Sequence, residues 1–85
     1  MQIINYTIKD KIGFHARPIG ELIKKAKEFN SVITISKNGN KTGLGNFFAI
    51  LKLNIKFEDE IEITVDGSDE VEAAAAIKAF LEERL

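Results

Sequence analysis

The sequence predicts a single α+β domain in the order β-α-β-β-α-β-α, with a half-buried sheet that carries helices over one face. Four short stretches alternate apolar and polar residues, which is the period of half-buried strands. Three further stretches repeat apolar residues at helical spacing, or are too compact and too apolar for an alternating strand. With 85 residues and 45% hydrophobic content, the chain can form one domain with one core. We therefore expect one domain over residues 1–85.

The first strand and the first helix account for the N-terminal third. From Gln2 to Ile8 the side chains alternate, with three apolar ones on the same side: Ile4, Tyr6 and Ile8. This alternation predicts the first strand. From Ala16 to Phe29 the period changes to helical, with an apolar stripe made of Ile19, Leu22, Ile23, Ala26 and Phe29. Asn30 is a plausible stop for this helix.

A hairpin and a short helix follow. Ser31 to Ser36 alternates as a second strand, and Asn38-Gly39 is a strong hairpin signal that leads into a third strand from Lys41 to Leu44. The stretch from Asn46 to Leu53 predicts a short helix. Asn54 is expected to end that helix, because Asn tolerates the left-handed conformation.

The fourth strand and the last helix complete the order. Glu60 to Val65 alternates as a strand, and Asp66-Gly67 forms a turn. Ser68 is expected to cap the final helix, with two acidic residues in its first turn. One arc of that helix is apolar, made of Ala73, Ala74, Ile77, Phe80 and Leu81. Half-buried strands and amphipathic helices together favour a sheet with helices over one face.

Composition excludes several classes of function. A formal net charge of −1 disfavours general nucleic-acid binding. No cysteine is present, and one histidine with scattered carboxylates makes a poor metal site, so we expect neither a metal nor a cofactor. No apolar run approaches the ~18 residues of a membrane span. The N-terminal residues lack the pattern of a signal peptide, so we expect a cytoplasmic protein without membrane insertion.

The stretch Gly13-Phe14-His15-Ala16-Arg17-Pro18 carries the chemistry. His15 is the only histidine, and a neutral imidazole has a lone pair that can attack phosphorus. Gly13 allows a sharp turn just before it. Pro18 is suited to the first turn of a helix, so a helix should begin at about Ala16 or Arg17.

An anion site is expected beside the imidazole. The positive end of the helix and its free N–H groups would lie there. Arg17 adds a permanent positive charge with a donor fork shaped for phosphate oxygens. The alternative is a surface or structural histidine, which is the commoner role of a lone histidine in a small protein.

These six residues resemble the active-site signature of the histidine-containing phosphocarrier family, HPr, of the bacterial sugar phosphotransferase system. Length, the position of His15, element order and hydrophobic pattern agree with that family from Met1 to Leu85. The resemblance implies an open-faced β-sandwich with four antiparallel strands and three helices. It also implies a carrier, not an enzyme. Enzyme I, charged from phosphoenolpyruvate, would phosphorylate His15, which would pass the group to the A component of a sugar-specific enzyme II.

The resemblance also assigns roles around His15. The Nδ1 nitrogen of His15 would take the phosphoryl group, and Arg17 would hold the phosphoryl oxygens. The main-chain amides of Ala16 and Arg17 would add to the positive electrostatic field around them. A monomer is expected. Three alternatives stay open: a regulatory paralogue that acts by contact, a carrier of the nitrogen-regulatory branch, and an unrelated adaptor in which His15 is incidental.

The stretch from Asn46 to Leu53 predicts a partner surface. Ile50 and Leu53 could face the core, but the remaining apolar residues then cannot all be hidden, and exposed apolar surface commonly marks a partner site. A fully covered core helix is the alternative. The HPr resemblance implies docking of both partner proteins on a surface that comprises Gly20, Lys24, Lys27, Phe47, Phe48 and Leu51.

Asn46 corresponds to a regulatory position. Many HPr-like proteins of Gram-positive bacteria carry there a serine that an ATP-dependent kinase phosphorylates. Asn caps a helix about as well as Ser, so the helix can persist although the hydroxyl is absent. We therefore expect no serine-phosphate regulation of this chain.

Overall fold

A computed structural model describes residues 1–85 and gives the predicted order of elements, which is thereby confirmed. The strands and helices are β1 Gln2–Thr7, α1 Ala16–Ala26, β2 Val32–Lys37, β3 Asn40–Gly43, α2 Phe47–Lys52, β4 Glu60–Asp66 and α3 Glu70–Arg84. None of the three helices is long and apolar enough to cross a membrane.

The four strands form one antiparallel sheet in the order β1-β4-β2-β3. Strand pairing places Ile4, Ile63 and Ile35 in one row across the sheet, and all three are buried. The neighbouring row of Ile3, Thr64 and Thr34 points to the opposite face. There the Thr34 and Thr64 hydroxyls hydrogen-bond each other. One face of the sheet is therefore apolar and the other is open.

The three helices and the apolar face of the sheet enclose one core. It comprises 19 buried residues, and the fully buried large side chains are Ile8, Ile19, Leu22, Ile35, Leu44, Ile50, Ile61, Ile63, Val65, Ile77 and Leu81. The predicted arc of α3 is confirmed, since Ala73, Ala74, Ile77 and Leu81 are buried and Phe80 packs against the core. With no cysteine, this burial is the main source of stability.

The two predicted turns with left-handed residues are confirmed. Asn38 and Gly39 have φ values of 52° and 83°, the signs that a two-residue type I′ hairpin requires. Asn54 has φ 52° and follows the end of α2. In both turns a residue that tolerates the left-handed region occupies the position that needs it.

Several element ends differ from the prediction, most of them by one residue, and three of the differences have an identifiable structural context. The regular helix α1 ends at Ala26 and not at Phe29, because the N–H groups of Glu28 and Phe29 turn to carbonyls three residues back. The third strand is Asn40–Gly43 and not residues 41–44, because the pairing with β2 already begins at Asn40 opposite Lys37. Leu44 is buried after the end of the strand, and its N–H still donates to the Ile33 carbonyl at 2.9 Å. Ser68 does not cap α3; Asp69 occupies that position without a side-chain cap bond.

Candidate functional site

The loop before α1 is held in a tight turn against the chain that follows α2. Gly13 has φ +85°, and a Cβ there would lie 3.0 Å from both the Ile55 carbonyl oxygen and Lys56 Cα. Its N–H donates to the Asp10 carbonyl at 2.9 Å, and the Phe14 N–H donates to the Ile55 carbonyl at 3.0 Å. Gly13 is therefore required both for its backbone angle and for this close approach.

His15 occupies the N-cap position of α1. Its backbone is extended, with φ −102° and ψ −179°, and its carbonyl accepts the Ile19 N–H at 3.1 Å. The imidazole makes no capping bond, and the side chain is half-buried. It lies between two surface depressions, one toward α3 and one toward α2. The ring is thus held at the surface with its nitrogens free of backbone partners.

The start of α1 leaves several donors unpaired. The main-chain N–H groups of His15, Ala16 and Arg17 donate to no main-chain acceptor, and Pro18 has no N–H. No acidic residue lies in the first turn of α1, so no carboxylate of that turn offsets the positive end of the helix. The predicted helix start at Ala16 is confirmed, and the arrangement can receive an anion.

Arg17 is exposed and lies in the same depression as His15. That depression is lined by His15, Arg17, Pro18, Glu21, Glu83 and Arg84. Arg17 takes part in no salt bridge, whereas Arg84 pairs with Glu21. The guanidinium of Arg17 is therefore available for an anion beside the imidazole.

The depression toward α2 has a more apolar lining. It contains Ile12, Phe14, His15, Leu51 and Phe57, with Lys11 and Lys56 at the same surface. Ile12 is 75% and Phe57 is 43% exposed. The sequence did not indicate that residues 55–57 lie beside His15. The only related signal was Gly13, because a glycine allows another segment of main chain to approach closely. Arg84 was missed as well, because no local pattern connects the end of α3 with the start of α1.

A polar network holds the chain segment that backs the histidine loop. The Lys37 ammonium contacts the Asp59 carboxylate at 2.7 Å and donates to the Asn54 carbonyl at 2.7 Å. Asp59 also accepts the Lys56 N–H at 2.7 Å. The hydrogen bond from Lys37, together with the Lys56 amide, lowers the pKa of Asp59 below 3.8. This network ties residues 54–59 to β2 and thus fixes the surface against which Gly13 and Phe14 pack.

The short helix α2 has the exposed apolar surface that its sequence predicted. Phe48 is 72% and Leu51 is 38% exposed, while Ile50 is buried. Phe47 is half-buried and packs against the core, with its ring edge-on to that of Phe48 at a centroid distance of 5.4 Å. The alternative of a fully covered helix is therefore wrong. Gly20 and Lys24 on α1, and Lys27 just after its last residue, are also exposed. A Cβ at Gly20 would meet nothing within 4 Å.

Asn46 caps α2, as predicted. Its side-chain oxygen accepts the Ala49 N–H at 3.1 Å, and its backbone is extended with φ −103° and ψ 93°. The cap accounts for Asn at this position without any modification chemistry. No cluster of three or more His, Asp or Glu side chains is arranged to hold a metal ion. The site therefore combines a surface imidazole with a helix start whose N–H groups have no protein acceptor.

Comparison with known proteins gives one consistent result. Residues 4–83 match the family model described as "PTS HPr component phosphorylation site". The phosphocarrier protein HPr of Mycoplasma genitalium is 39% identical over 83 residues, which cover 96% of this chain and 94% of that protein. The solved structure of a histidine-containing phosphocarrier protein of Mycoplasma superposes with a TM-score of 0.91 at 36% identity, covering 96% of this chain and 93% of that one.

A third relative concerns oligomeric state. The structure of an HPr dimer from Thermoanaerobacter tengcongensis is similar at 28% identity, with a TM-score of 0.78, and the match covers 99% of this chain and 97% of that one. A dimer is therefore known within the group of similar structures, and the expectation of a monomer stays a prediction.

Proposed function

This chain belongs to the HPr family of the bacterial phosphotransferase system, and we propose that His15 receives a phosphoryl group from enzyme I and passes it on. Enzyme I would be charged from phosphoenolpyruvate, and the acceptor would be the A component of a sugar-specific enzyme II. The observation that carries the proposal is the free imidazole of His15 at a helix start with unpaired amides. The chain would act in the cytoplasm and as a carrier.

The transfer is a displacement at phosphorus. The lone pair of His15 Nδ1 forms the new bond, and the bond between phosphorus and the donor breaks with its electron pair. The proton that the imidazole gives up passes to the donor side. The phosphoryl oxygens then lie near the Arg17 guanidinium and the amides of Ala16 and Arg17, which offset their negative charge. The onward transfer repeats the displacement with the A component as the nucleophile.

The exposed surface of α1 and α2 would bind both partner proteins in turn. Its apolar part is Phe48 with Leu51 and the exposed edge of Phe47, and Gly20 lets a partner approach α1 closely. Lys24, on the same helix as Arg17, and Lys27, at the C-terminal end of that helix, carry free positive charges. These charges favour partners with an acidic surface. An aromatic residue exposed at the centre of such a patch is the usual anchor of an interface.

The Phe48→Ala variant tests the partner surface. Because Phe48 is 72% exposed, we expect its unfolding free energy to change by less than about 1 kcal/mol. We expect binding to enzyme I, measured by titration calorimetry, to weaken by about tenfold or more, as for an interface anchor. Val32→Ala, at a residue 70% exposed on the open face of the sheet, is the matched control and should bind normally. If Phe48→Ala and Val32→Ala bound enzyme I equally well, the docking surface would not include Phe48.

The His15→Ala variant tests the phosphoacceptor. Its side chain carries little packing, so the fold should persist while labelling from phosphoenolpyruvate through enzyme I is abolished. The label on the unmodified chain should be released by acid and survive base, as a phosphoramidate does. Undiminished labelling of His15→Ala would refute the proposal. Labelling of the unmodified chain without onward transfer to any A component would favour the regulatory alternative.

Serine-phosphate regulation is not part of the proposed function. Asn46 fills the corresponding position and is engaged in its cap bond, and an amide cannot serve as the phosphoacceptor that a hydroxyl provides. The chain would therefore lack a phosphoacceptor hydroxyl at residue 46.

A further inference from the structure

Arg84 brings a second guanidinium into the depression beside His15. The charged side chains that line this depression are Arg17, Glu21, Glu83 and Arg84. Two positive and two negative charges cancel there as long as no phosphoryl group is bound. Only Arg84 and Glu21 are paired with each other, so the four charges are not equivalent.

The position of Arg84 is fixed by the end of α3. The main-chain carbonyl of Leu85 accepts the N–H groups of Lys9 and Asp10, and the Leu85 side chain is buried. The end of α3 is thereby joined to the segment that leads into the histidine loop. The Arg84 guanidinium then hydrogen-bonds the Glu21 carboxylate, which raises the pKa of Arg84. The guanidinium is thus held beside Glu21 at the depression, although the Arg84 side chain is still 42% exposed.

We propose that Arg84 is a second arginine that contacts the phosphoryl group of His15, and that Glu21 restrains it; this rests on the proposed function of His15. A phosphoryl group carries about −1.5 to −2 charges and three acceptor oxygens, against one charge on Glu21. A guanidinium has five N–H donors, and the pair with Glu21 uses only one of its nitrogens. Arg84 can therefore turn from Glu21 toward the phosphoryl group, or share its donors between the two.

The restraint by Glu21 suits a carrier, which must hold the group and also release it. Glu21 competes for Arg84, and Glu83 places another negative charge in the same depression. Both carboxylates lower the affinity of Arg17 and Arg84 for the phosphoryl group, so that the group can be released. The sequence therefore sets the strength of phosphoryl binding with the Glu21–Arg84 pair, 63 residues apart along the chain.

Phosphorus NMR on chemically phosphorylated protein tests this directly. Phosphoramidate is the probe: the imidazole nitrogen forms the bond to phosphorus, the P–N bond of the reagent breaks, and ammonia leaves with the proton. The ³¹P chemical shift is then followed against pH. A nearby cation disfavours protonation of the phosphorylated side chain, so Arg84→Ala should move the pH midpoint upward. We expect a shift that corresponds to about a two- to fivefold change in proton affinity, the range for a partly exposed pair.

Glu21→Gln should shift the same midpoint in the opposite direction, because it frees Arg84 and removes a negative charge. In the Arg84→Ala background, Glu21→Gln should have a clearly smaller effect. Lys78→Ala removes a positive charge from an exposed position of α3 outside the depression and should leave the midpoint unchanged. Arg84→Lys keeps the charge and should lie between the parent and Arg84→Ala. Amide spectra of each variant confirm its fold.

Two results would overturn the inference while the proposed function stands. One is a pH midpoint of the ³¹P titration that is the same in Arg84→Ala as in Lys78→Ala. The other is a Glu21→Gln shift of equal size with and without Arg84, which would mean that Glu21 acts by its own charge. A chain that phosphoramidate and enzyme I both fail to phosphorylate on His15 would instead refute the proposed function, and the inference with it.

Discussion

The first turns of α1 and α3 differ in what their charged and polar groups contact. At α3, Asp69 accepts the Asn30 N–H at 2.8 Å and the Ser31 hydroxyl at 2.5 Å. Glu70 accepts the Gly67 N–H at 3.2 Å, and two acidic residues lie in the first helical turn. At α1 the first turn has no acidic residue, and the amides of Ala16 and Arg17 have no protein acceptor.

The difference separates a structural helix start from a functional one. A fold normally places carboxylates or hydroxyls near the unpaired N–H groups at a helix start. The α3 end has two acidic residues in its first turn, and the Glu70 N–H donates to the Gly67 carbonyl, although no side chain caps the helix. The α1 end departs from this pattern and places a cation, Arg17, where the helix dipole makes a cation mildly unfavourable. Such a local cost is consistent with a site that receives an anion from outside the chain.

Two glycine substitutions should show the largest effects on the α1 end. Gly13→Ala forces a Cβ into a left-handed position 3.0 Å from the main chain at residues 55 and 56, which should cost about 1–3 kcal/mol of unfolding free energy. It should also slow labelling of His15, because the loop must shift. Gly20→Ala, in open space inside the same helix, should instead stabilise by about 0.5–1 kcal/mol.

Chemical denaturation of the two glycine variants measures this contrast. Gly13→Ala with the stability of the parent chain would show that the contact between the histidine loop and residues 55–57 does not hold the site. A loss of stability in Gly20→Ala would show that the exposed surface of α1 is less open than the structure indicates.

Asp69→Asn should weaken the α3 end in a pH-dependent way. The hydrogen bond from Ser31, followed by that from the Asn30 amide, lowers the pKa of Asp69 below its ordinary value of 3.8. A carboxyl group with a lowered pKa in the folded state stabilises the protein above pH 3.8 and loses that effect as pH falls through the folded value. The difference in melting temperature between the parent and Asp69→Asn should therefore be present at pH 7 and shrink below pH 3.8.

Thermal melts across that pH range, with Glu72→Gln as the control, check the Asp69 prediction. Glu72 is exposed in the same first turn and accepts no side-chain bond. If the difference in melting temperature between the parent and Asp69→Asn stayed constant from pH 7 to pH 2.5, the charge of Asp69 would not contribute to stability. The labelling of His15 should be unaffected in both variants, since neither residue lies at the α1 end.

Arg17→Ala should have the smallest effect on stability and a moderate effect on transfer. Arg17 is exposed and unpaired, so we expect less than about 1 kcal/mol in unfolding free energy. Phosphoryl transfer should slow by about fivefold, as expected from the loss of one partly exposed charge contact. Rapid-quench measurement with phosphorylated enzyme I gives the rate, and Lys78→Ala is the charge-matched control. A normal rate in Arg17→Ala would make Arg17 a bystander.

Local features of the site could be predicted from the sequence because they depend on neighbouring residues. Gly13 and Pro18 fix the turn and the start of α1, and Asn46 provides its own cap to α2. Phe48 was expected at the surface because a short helix on a sheet can bury only one side. In each case the physical cause lies within a few residues of the position concerned.

Features that depend on distant partners could not be predicted in this way. The helical pattern continues to Phe29, but Asp69 binds the N–H of Asn30 and the hydroxyl of Ser31 from almost 40 residues away, at the turn that follows α1. The same use of Asp69 explains why Ser68 was the wrong cap for α3. Arg84 reaches the histidine site only through the packing of α3 beside α1 and its pair with Glu21.

The most direct test of the open helix start follows amide resonances during phosphorylation of His15. In ¹H–¹⁵N spectra, the amide protons of Ala16 and Arg17 should move strongly downfield when the phosphoryl group arrives, because each gains a charged acceptor. The amides of Glu70 and Val71 in the first turn of α3 should keep their positions. Unchanged Ala16 and Arg17 resonances in fully phosphorylated protein, or shifts of equal size at both helix starts, would contradict the account.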